Sequence, residues 1–536
     1  MSSIRHTIGI DVSTQTITAM LIGVVEENGS PAELVISGAW TESRPCADDL
    51  SRKSPAVWVE LARECIAGLK RKAREAETAE AVGVSTTFPG CFAILSDGAI
   101  DPRFVSLYDN TNDAGVCEGG FEDELGAAES ETLNRMWPGN TAIGLVHLVK
   151  SRGFTLDAAA KIVLPNTAFA WELTRAAGHE LDPDDLITDF TQASIGGLHD
   201  CRTGEAVPPG VARLLKQVAP EIDAAQLRRM LPALAPSWRN VIHGDAIGPV
   251  RELLGLPKLR SVSIGGGDSA LGGLALMSGR DTVINVRGSS DSPMIVIDSL
   301  RERATPRETV LHYPLPTATS FGDSPWCVVA PLLRSGRVWD WVRRLRFADD
   351  DAAADAKLEA LALEALRSGR PQSRPSFHTA LGGERAPDWN SQATGRIEGL
   401  VESHGIGDIA LAAMEGMSRT LSECIALMEE RYEARTEKML LVGGPARNAL
   451  WNSITQERTG KKTFATTFSD ASLLGAALLG YAALYDAIEP DGAIARRLIA
   501  VSRLSSGHEL ISPVRVGGID ALAGTAGSVV ASKEVV

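Results

Sequence analysis

The chain has 536 residues, more than one hydrophobic core usually serves, so two or more domains are expected. Its 44% hydrophobic and 23% charged residues are ordinary for a soluble globular protein. The net charge of -15 argues against nucleic acid or an anionic membrane as the main partner, because either requires a concentrated basic patch. It does not exclude an anionic ligand, since backbone amides and a metal ion can hold phosphate within an acidic protein.

The seven cysteines are scattered and include no Cys-x-x-Cys pair, so neither a zinc site nor a disulfide framework is indicated. The opening residues, MSSIRHTIGI, enter a strand directly and lack the apolar core of a signal peptide. No apolar run approaches the ~20 residues that a membrane helix needs. We therefore expect a cytoplasmic protein with reduced thiols.

The N-terminal part is predicted to alternate strands with a helix. Apolar runs at residues 6–12 and 16–25 predict a hairpin, and residues 32–40 predict a third strand. Apolar side chains near helical spacing predict a helix over residues 54–77, and the run AVGVSTT at 81–87 predicts a buried strand. This order is typical of an α/β fold with an antiparallel start.

Residues 282–298, TVINVRGSSDSPMIVID, repeat the plan of the opening hairpin. An apolar run leads to a small-residue turn at Gly288-Ser289-Ser290, and a second apolar run follows. We interpret the two hairpins as a duplicated domain in which each copy offers a turn to one shared ligand. A chance likeness is the alternative, because strand–turn–strand units are common in proteins.

The domain boundary is predicted just before the strand SVSIGG. This gives an N-terminal domain at 1–258 and a C-terminal domain at 259–516, with helices at 403–433 and 471–484 around the strand KMLLVGG. The last residues, 517–536, are small, weakly apolar and aperiodic, so a flexible tail is expected there.

Acids and glycines stand at the ends of several predicted strands. Asp11 ends the first strand before a run of hydroxyl residues, Asp268 follows three glycines, and Gly443-Gly444 follow another strand. Glycine lets backbone amides approach a phosphate, and Mg²⁺ takes one or two carboxylates while keeping most of its waters. Phosphoryl transfer needs such a cation, donors around the transferred group and a base for the acceptor hydroxyl.

Each of these features has a plainer interpretation when it is taken alone. A glycine-rich strand end is typical of a tight turn, and Asp11 has the alternative of accepting turn amides. The chain contains neither a Walker A loop nor a dinucleotide fingerprint. The phosphoryl-transfer hypothesis therefore depends on the combination of strand ends.

Six segments in register resemble the FGGY carbohydrate kinases of the actin-like, ribonuclease-H-like superfamily, and the likeness runs from about residue 7 to 485. The segments are DVSTQTIT, VGVSTTFPGCFAILSDG, LPNTAFAWELT with LITDFTQASIGGLHD, IGGGDSALGGLALMSG, LGGERAPDWNSQATGRIEGL, and LVGGPARNALWNSITQERTG with ASLLGAALL. The resemblance implies two actin-like domains with mixed five-stranded sheets and a cleft between them.

The same resemblance implies an ATP-dependent carbohydrate kinase that uses Mg²⁺, with Asp268 as general base and Asp11 and Asp268 at the metal. The residues implied to bind Mg-ATP are Asp11, Ser13, Thr14, Gln15, Gly288, Ser289, Gly443, Gly444 and Asn448, the last beside the adenine. The residues implied to bind the substrate are Thr87, Phe88, Asp109 and Asp268. Members of this family are often dimers, so the resemblance implies a possible homodimer. The residues themselves do not indicate an oligomeric state.

Several positions depart from the family pattern. Ser13 replaces the commoner glycine, although Ser-Thr-Gln also occurs in some xylulose kinases, and Thr18 replaces the usual basic residue. Phe88 and Pro89 stand where xylulose kinases carry methionine and histidine, and cannot make histidine's polar contacts with sugar hydroxyls. Thr111 replaces the arginine that follows the family's aspartate, here Asp109.

A ketopentose such as xylulose is the predicted acceptor, with another polyol, ketose or sugar acid as the alternative. A phosphatase of the haloacid-dehalogenase kind would use Asp11 as nucleophile, but its motif requires a second Asp where Ser13 stands. A third hypothesis is an actin-like nucleotide sensor whose sugar site has decayed. It is motivated by the altered turn at Thr87-Phe88-Pro89 and by the missing basic residue at position 18.

Overall fold

The structure is a computed structural model. It describes residues 2–501 and 511–513, apart from residues 14, 113, 119, 243, 277–278, 301–308, 323–324, 333, 349–350, 369–373, 467–469, 490–492, 495 and 499. Thr14 and the predicted tail at 517–536 therefore lie outside the described residues. No helix in the described part of the chain is long and apolar enough to cross a membrane.

The chain divides into two compact units, and each is assembled from three separate segments. Unit 1 consists of Met1–Ser278, Val296–Val328 and Asp470–His508. Unit 2 consists of Gly279–Ile295, Val329–Ser469 and Glu509–Val536.

The predicted boundary at 258/259 differs from this division, since it assigns Val296–Val328 and Asp470–His508 to the C-terminal domain. Packing of the helix at 471–483 against the first sheet explains part of the difference.

The described part of the chain contains twenty strands. Their bounds are β1 Ser2–Val12, β2 Thr16–Glu27, β3 Ser30–Pro45, β4 Ala79–Thr86, β5 Gly90–Leu95, β6 Ile100–Leu107, β7 Ala159–Val163, β8 Ile187–Asp189, β9 Ala233–Ala235, β10 Ser261–Val262, β11 Gly266–Gly267, β12 Thr282–Arg287, β13 Asp291–Ile297, β14 Leu311–Pro314, β15 Trp326–Val329, β16 Ser376–His378, β17 Arg396–Glu398, β18 Lys438–Val442, β19 Lys462–Thr466 and β20 Ile511–Pro513.

The α-helices include the predicted helices at 403–433 and 471–484, with ends shifted by at most three residues. Their bounds are α1 Pro55–Lys72, α2 Ala114–Glu118, α3 Glu122–Thr132, α4 Thr141–Arg152, α5 Pro165–Ala176, α6 Phe190–Ile195, α7 Pro209–Val218, α8 Ala224–Met230, α9 Ile247–Leu254, α10 Asp268–Ala275, α11 Gly336–Arg344, α12 Ala354–Arg367, α13 Ile406–Tyr432, α14 Ala449–Thr459 and α15 Ala471–Ala483.

The main sheet of unit 1 is built around the opening hairpin. Its path runs β10-β4-β1-β2-β3, and a sixth strand, β11, also pairs with β4. β1 is antiparallel to β2 and parallel to β4, which confirms the predicted hairpin and the buried strand after it. The predicted helix over 54–77 ends earlier, at Lys72, because Ala73 turns to an extended conformation and a 3-10 helix follows.

Helix α15 packs on this sheet at two glycines. A Cβ at Gly9 of β1 would lie 2.2 Å from the carbonyl oxygen of Leu473, and a Cβ at Gly83 of β4 would lie 1.6 Å from that of Ala476. Side chains at these positions would overlap the helix backbone, so only glycine permits this approach. The contact places α15 in unit 1, although it follows strands of unit 2 in the chain.

Unit 2 repeats the strand pattern of unit 1. β12 is antiparallel to β13 and parallel to β18, and β18 is parallel to β19. Five strands of this unit lie in the order β13-β12-β18-β19-β20. The predicted second hairpin at 282–298 is therefore confirmed, and it occupies the same place in its sheet as β1 and β2 do in theirs.

Candidate active site

Asp11 lies one residue before the end of β1, where the parallel pairing with β4 sets it opposite Ser85. The Ser85 hydroxyl donates a hydrogen bond of 2.5 Å to Asp11 Oδ1. Burial raises the pKa of Asp11 to about 6, and hydrogen bonds from Ser85 and Ser472 oppose this rise only in part. The hydrogen bonds thus hold the carboxylate in a fixed orientation. Its negative charge is unfavourable in this buried place, and a bound cation would stabilise it.

Asp268 begins α10, directly after the short strand β11 that pairs with β4. Burial, and after it the neighbouring carboxylate of Asp11, raise its pKa to about 7, against a hydrogen bond from the Ser269 amide. That amide lies 2.6 Å from Asp268 Oδ1. The structure therefore brings the two predicted carboxylates into electrostatic contact within unit 1.

Close helix packing brings these groups together. A Cβ at Gly475 of α15 would lie 2.1 Å from the carbonyl oxygen of Leu271 on α10. The two helices begin at Asp268 and Ala471, so the close contact aligns Asp268 and Ser472 with the end of β1. Ser85 and Ser472 were not singled out from the sequence, although both lie in segments that carry the family resemblance.

The turn after Asp11 is closed by its own hydroxyl residue. The Ser13 amide and the Ser13 hydroxyl both donate to the Thr16 carbonyl oxygen, at 3.0 and 2.9 Å. Gln15 is exposed, and its carbonyl oxygen accepts from the Cys46 amide at 2.7 Å. The predicted phosphate contacts of Ser13 and Gln15 stay predictions, and the structure gives Ser13 a turn-closing role.

The predicted substrate turn at Thr87 and Phe88 lies beside Gly267, which precedes Asp268. The Thr87 amide donates to the Val12 carbonyl oxygen at 2.8 Å, which ties the turn to the end of β1. The Phe88 ring packs so closely on Gly267 that a Cβ there would lie 2.4 Å from the ring. It also meets Tyr313 edge-on, with 5.7 Å between ring centroids.

Tyr313 is a neighbour of Asp268 that sequence reasoning missed. It is fully buried on β14, and its hydroxyl lies 3.5 Å from that of Ser269. Burial raises the pKa of Tyr313 well above its ordinary value, and the charges of Cys327 and Asp268 raise it to a smaller extent. Its segment, LHYP, contains no recognisable motif, so only the fold reveals this contact.

Helix α6 supports both the turn at Thr87 and the strand end that precedes Asp268. Gln192 Nε2 donates to Thr86 Oγ1 at 2.7 Å and to the Thr87 carbonyl oxygen at 3.3 Å. The Gly267 amide donates to Thr191 Oγ1 at 3.0 Å. Asp189 caps this helix through the amides of Thr191 and Gln192, and burial raises its pKa to about 6. The buried polar groups of α6 thus fix the two loops relative to each other.

Asp109 is placed in an ion pair at the surface. Arg52 Nη2 lies 2.8 Å from Asp109 Oδ2, and the same guanidinium lies 3.2 Å from Asp49. Arg52 thus provides a positive partner for Asp109 in the absence of the family's arginine at position 111. The substrate contact of Asp109 stays a prediction.

In unit 2, the turn of the second hairpin rests on the start of α11. The carbonyl oxygen of Gly288 accepts from the Gly336 amide, and that of Ser289 accepts from the Ser335 amide, both at 3.0 Å. Gly336 must be glycine, since a Cβ would lie 2.3 Å from the Gly288 oxygen. The Ser289 residue itself is exposed, as a phosphate-binding residue has to be.

The predicted nucleotide loop follows β18. Gly443 has a φ of +104°, and a Cβ there would lie 2.2 Å from the Arg287 carbonyl oxygen, so both conformation and space require glycine. Gly444 has open space around it. Asn448 caps α14 by accepting from the Trp451 amide at 2.8 Å, a structural role that its predicted contact with adenine does not require.

The donor set at Asp11 and Asp268 fits a hydrated Mg²⁺. Within the described residues, no three His, Cys, Asp or Glu side chains are grouped as a protein-only metal cage would be. Two interacting carboxylates with raised pKa values suit a cation that takes its other ligands from water and phosphate.

A family model matches residues 299–484, and it describes the C-terminal domain of the FGGY family of carbohydrate kinases. Residues 299–484 of this chain are therefore similar to the FGGY family. The resemblance drawn from the six sequence segments is thereby confirmed.

Curated relatives differ in how much of their length matches this chain. Gluconokinase of Bacillus subtilis is 28% identical over 163 residues, which are 30% of this chain and 32% of that protein. The chain therefore spans about a third of the length of that relative. Xylulose kinase of Streptomyces coelicolor is 26% identical over 502 residues, which are 91% of this chain and 90% of that protein.

Solved structures of two kinases share the fold over nearly the whole chain. Xylulose kinase from Lactobacillus acidophilus has a TM-score of 0.71 at 18% identity, covering 98% of this chain and 99% of that one. Glycerol kinase from Plasmodium falciparum, solved with ADP, has a TM-score of 0.69 at 15% identity, covering 98% and 96%. The predicted fold class is confirmed, but the two main sheets have six and seven strands instead of the five predicted, because short strands add to their edges.

Proposed function

We propose that this chain is an ATP-dependent kinase that transfers a phosphoryl group to a hydroxyl of a small carbohydrate. The observation that carries the proposal is the pair of carboxylates, Asp11 and Asp268, held in electrostatic contact beside the Phe88 turn. The match of residues 299–484 to the FGGY family model and the similarity to a xylulose kinase and a gluconokinase support the same activity.

Asp268 is the general base in this proposal. A pKa of about 7 lets the carboxylate accept the proton of the attacking hydroxyl near neutral pH. Asp11 and Asp268 would hold Mg²⁺ together with the phosphates of ATP, and the ion would neutralise charge on the transferred group. The turns at Ser13–Gln15 and Gly288–Ser289 would bind the phosphates, and Gly443, Gly444 and Asn448 would line the nucleoside.

Xylulose is the acceptor that we propose first. The Ser-Thr-Gln sequence at residues 13–15 and the long match to a xylulose kinase support a ketopentose. A sugar acid is the second candidate, because the match to a gluconokinase is of comparable identity. The apolar wall made by Phe88 and Tyr313 favours an acceptor that presents carbon rather than hydroxyl groups on one side.

A panel of acceptors tests this proposal. We expect Mg-ATP-dependent ADP release above the ATPase background with at least one ketose, polyol or sugar acid, and loss of at least about a thousandfold in kcat with Asp268→Asn. Asp245→Asn, at an exposed position in unit 1, is the matched control and should retain wild-type activity.

The outcomes of the panel separate the hypotheses. No acceptor above background would favour a nucleotide sensor, and full activity of Asp268→Asn would refute the assigned mechanism. A phosphorylated Asp11 recovered from the reaction would instead revive the phosphatase hypothesis. The cytoplasmic location and the homodimer stay predictions.

A further inference from the structure

A buried ion pair brackets the turn of the second hairpin. Arg287 ends β12 and Asp291 begins β13, so the two residues flank the turn Gly288–Ser290. Both side chains are almost completely buried, with exposed fractions of 0% and 1%, and Arg287 Nε lies 3.6 Å from Asp291 Oδ2. Burying two charges is often no better for stability than an apolar pair of the same shape, so the pair requires another explanation.

The Arg287 guanidinium also contacts three residues of α14. Its Nη1 donates to Asn452 Oδ1 at 3.2 Å, and its Nη2 donates to Thr455 Oγ1 at 3.1 Å. Its Cζ lies 4.2 Å from the ring centroid of Trp451, in a cation–π contact. One side chain thereby joins the second turn to the helix that Asn448 caps.

The backbone of Arg287 forms the next link. Its carbonyl oxygen faces Gly443 so closely that any side chain at 443 would overlap it. Arg287 therefore contacts the nucleotide loop through its main chain and the following helix through its side chain. The two segments of unit 2 that we assign to ATP, the turn and the loop, meet at this one residue.

The network is not fully satisfied. Arg287 Nε, Asp291 Oδ1 and Asn285 Oδ1 are buried and have no hydrogen-bond partner among the described residues. A partly satisfied polar network destabilises a core compared with an apolar one, so selection for stability alone does not account for it. A role in fixing the geometry of the turn does.

We propose that Arg287 is a positioning residue for ATP. Its guanidinium, neutralised by Asp291, holds the phosphate turn Gly288–Ser290 in register with α14 and with the Gly443 loop. This inference rests on the proposed function, because it assigns the turn and the loop to one nucleotide. Lysine cannot replace arginine here, because a single ammonium group cannot reach Asp291, Asn452 and Thr455 with fixed, planar geometry.

The test compares Arg287→Lys and Asp291→Asn with wild type. We expect the Kd for Mg-ADP, measured by calorimetry, and the KM for ATP to rise at least tenfold. The KM for the acceptor should change less than twofold, because the proposed acceptor and base residues belong to unit 1. A merely structural role would lower Tm without this split between the two substrates.

Lys461→Met provides the matched control. Lys461 Nζ makes a 2.8 Å ion pair with Glu429 in the same unit, and Lys461 is likewise mostly buried. This variant should lose Tm to a similar extent and keep the Kd for Mg-ADP within twofold of wild type.

The outcomes distinguish the inference from the function on which it rests. If folded Arg287→Lys binds Mg-ADP as wild type does, the inference is wrong and the kinase proposal stands. If wild type binds neither Mg-ADP nor Mg-ATP, both are wrong. Should Arg287→Lys fail to fold, Thr455→Val removes one acceptor while keeping the shape. It should raise the Kd for Mg-ADP about threefold, and an unchanged Kd would overturn the inference.

Discussion

Among single residues, Asp268 carries the sharpest consequences, because its carboxyl group titrates near neutral pH. Its pKa of about 7 arises from burial and from the Asp11 carboxylate. A base with this pKa changes charge in the range where enzymes are assayed. Both activity and stability should therefore depend on pH through this one group.

We expect kcat/KM to rise with pH up to about 7 and then level off, since only ionised Asp268 accepts a proton. Initial rates at fixed Mg-ATP and low acceptor concentration, from about pH 5 to about pH 9, would show a slope of one below the midpoint. In kcat, the midpoint should move lower, because bound Mg²⁺ favours the ionised carboxylate. A profile that is flat between about pH 5 and about pH 8 would contradict this assignment.

We expect Asp268→Asn to be more thermostable than wild type at pH 8 and to show no such gain near pH 4. The folded-state pKa of Asp268 lies above its unfolded value, so its contribution to stability is present at low pH and is lost as pH rises through about 7. Asparagine mimics the protonated form and removes that loss, which should raise Tm by about 2–4 °C at pH 8. Thermal denaturation without nucleotide at both pH values measures this change in Tm. An equal rise in Tm at the two pH values would show that titration of Asp268 is not its cause.

We expect Phe88→Ala to raise the KM for the acceptor about tenfold, because the ring forms one side of the space next to Gly267 and Asp268. The KM for ATP serves as the internal control and should stay within twofold. An effect confined to ATP would show that Phe88 does not face the acceptor.

The chemistry of single residues was partly predictable from sequence. Asp11 and Asp268 stand at strand ends after apolar or glycine-rich runs, and this local pattern identified both. Tyr313 and Gln192 could not be found in the same way, because their contacts join segments more than a hundred residues apart. Asn448 shows the opposite case. The sequence predicted that it contacts the nucleotide, whereas the structure shows it as the N-cap of α14.

Among the elements, α15 shows most clearly that packing determines which sheet a helix covers. The pattern of apolar residues in its sequence does not determine this. The sequence predicted this helix from its apolar composition, and the structure confirms it with bounds at Ala471 and Ala483. An almost uniformly apolar helix does not indicate which sheet it covers. Gly9 and Gly83 decide that question, and their role becomes visible only when the strands and the helix are seen together.

We expect Gly83→Ala to destabilise the protein by at least about 1–3 kcal/mol, because the added methyl group would overlap the Ala476 carbonyl oxygen. The variant should also lose activity, since α15 brings Ser472 to Asp11. Gly126→Ala, in α3, is the matched control. It has open space for a Cβ and should stabilise the helix slightly. Equal Tm values for the two variants would contradict the packing argument.

For the whole molecule, the sequence predicted the two related sheets better than it predicted which segments belong to each compact unit. The likeness between residues 7–23 and 282–298 was enough to propose two related sheets, and both sheets share the pattern of one antiparallel and successive parallel neighbours. The boundary at 258/259 assumed that each domain is continuous in sequence. Six alternating segments show otherwise, because segments distant in sequence complete each unit.

The late position of α15 in the chain has a consequence for synthesis on the ribosome. Gly9 of β1 and Gly83 of β4 pack against α15, and this helix is synthesised more than 380 residues after β4. Until residues 471–483 emerge, that face of the sheet lacks the helix that packs on it. Nascent chains of intermediate length should therefore expose this apolar surface and bind chaperones. We expect a fragment of residues 1–278 to be protease-sensitive, and co-expressed residues 470–508 to protect it in a pulse-proteolysis assay. A resistant fragment without that partner would show that the first sheet folds before its helix arrives.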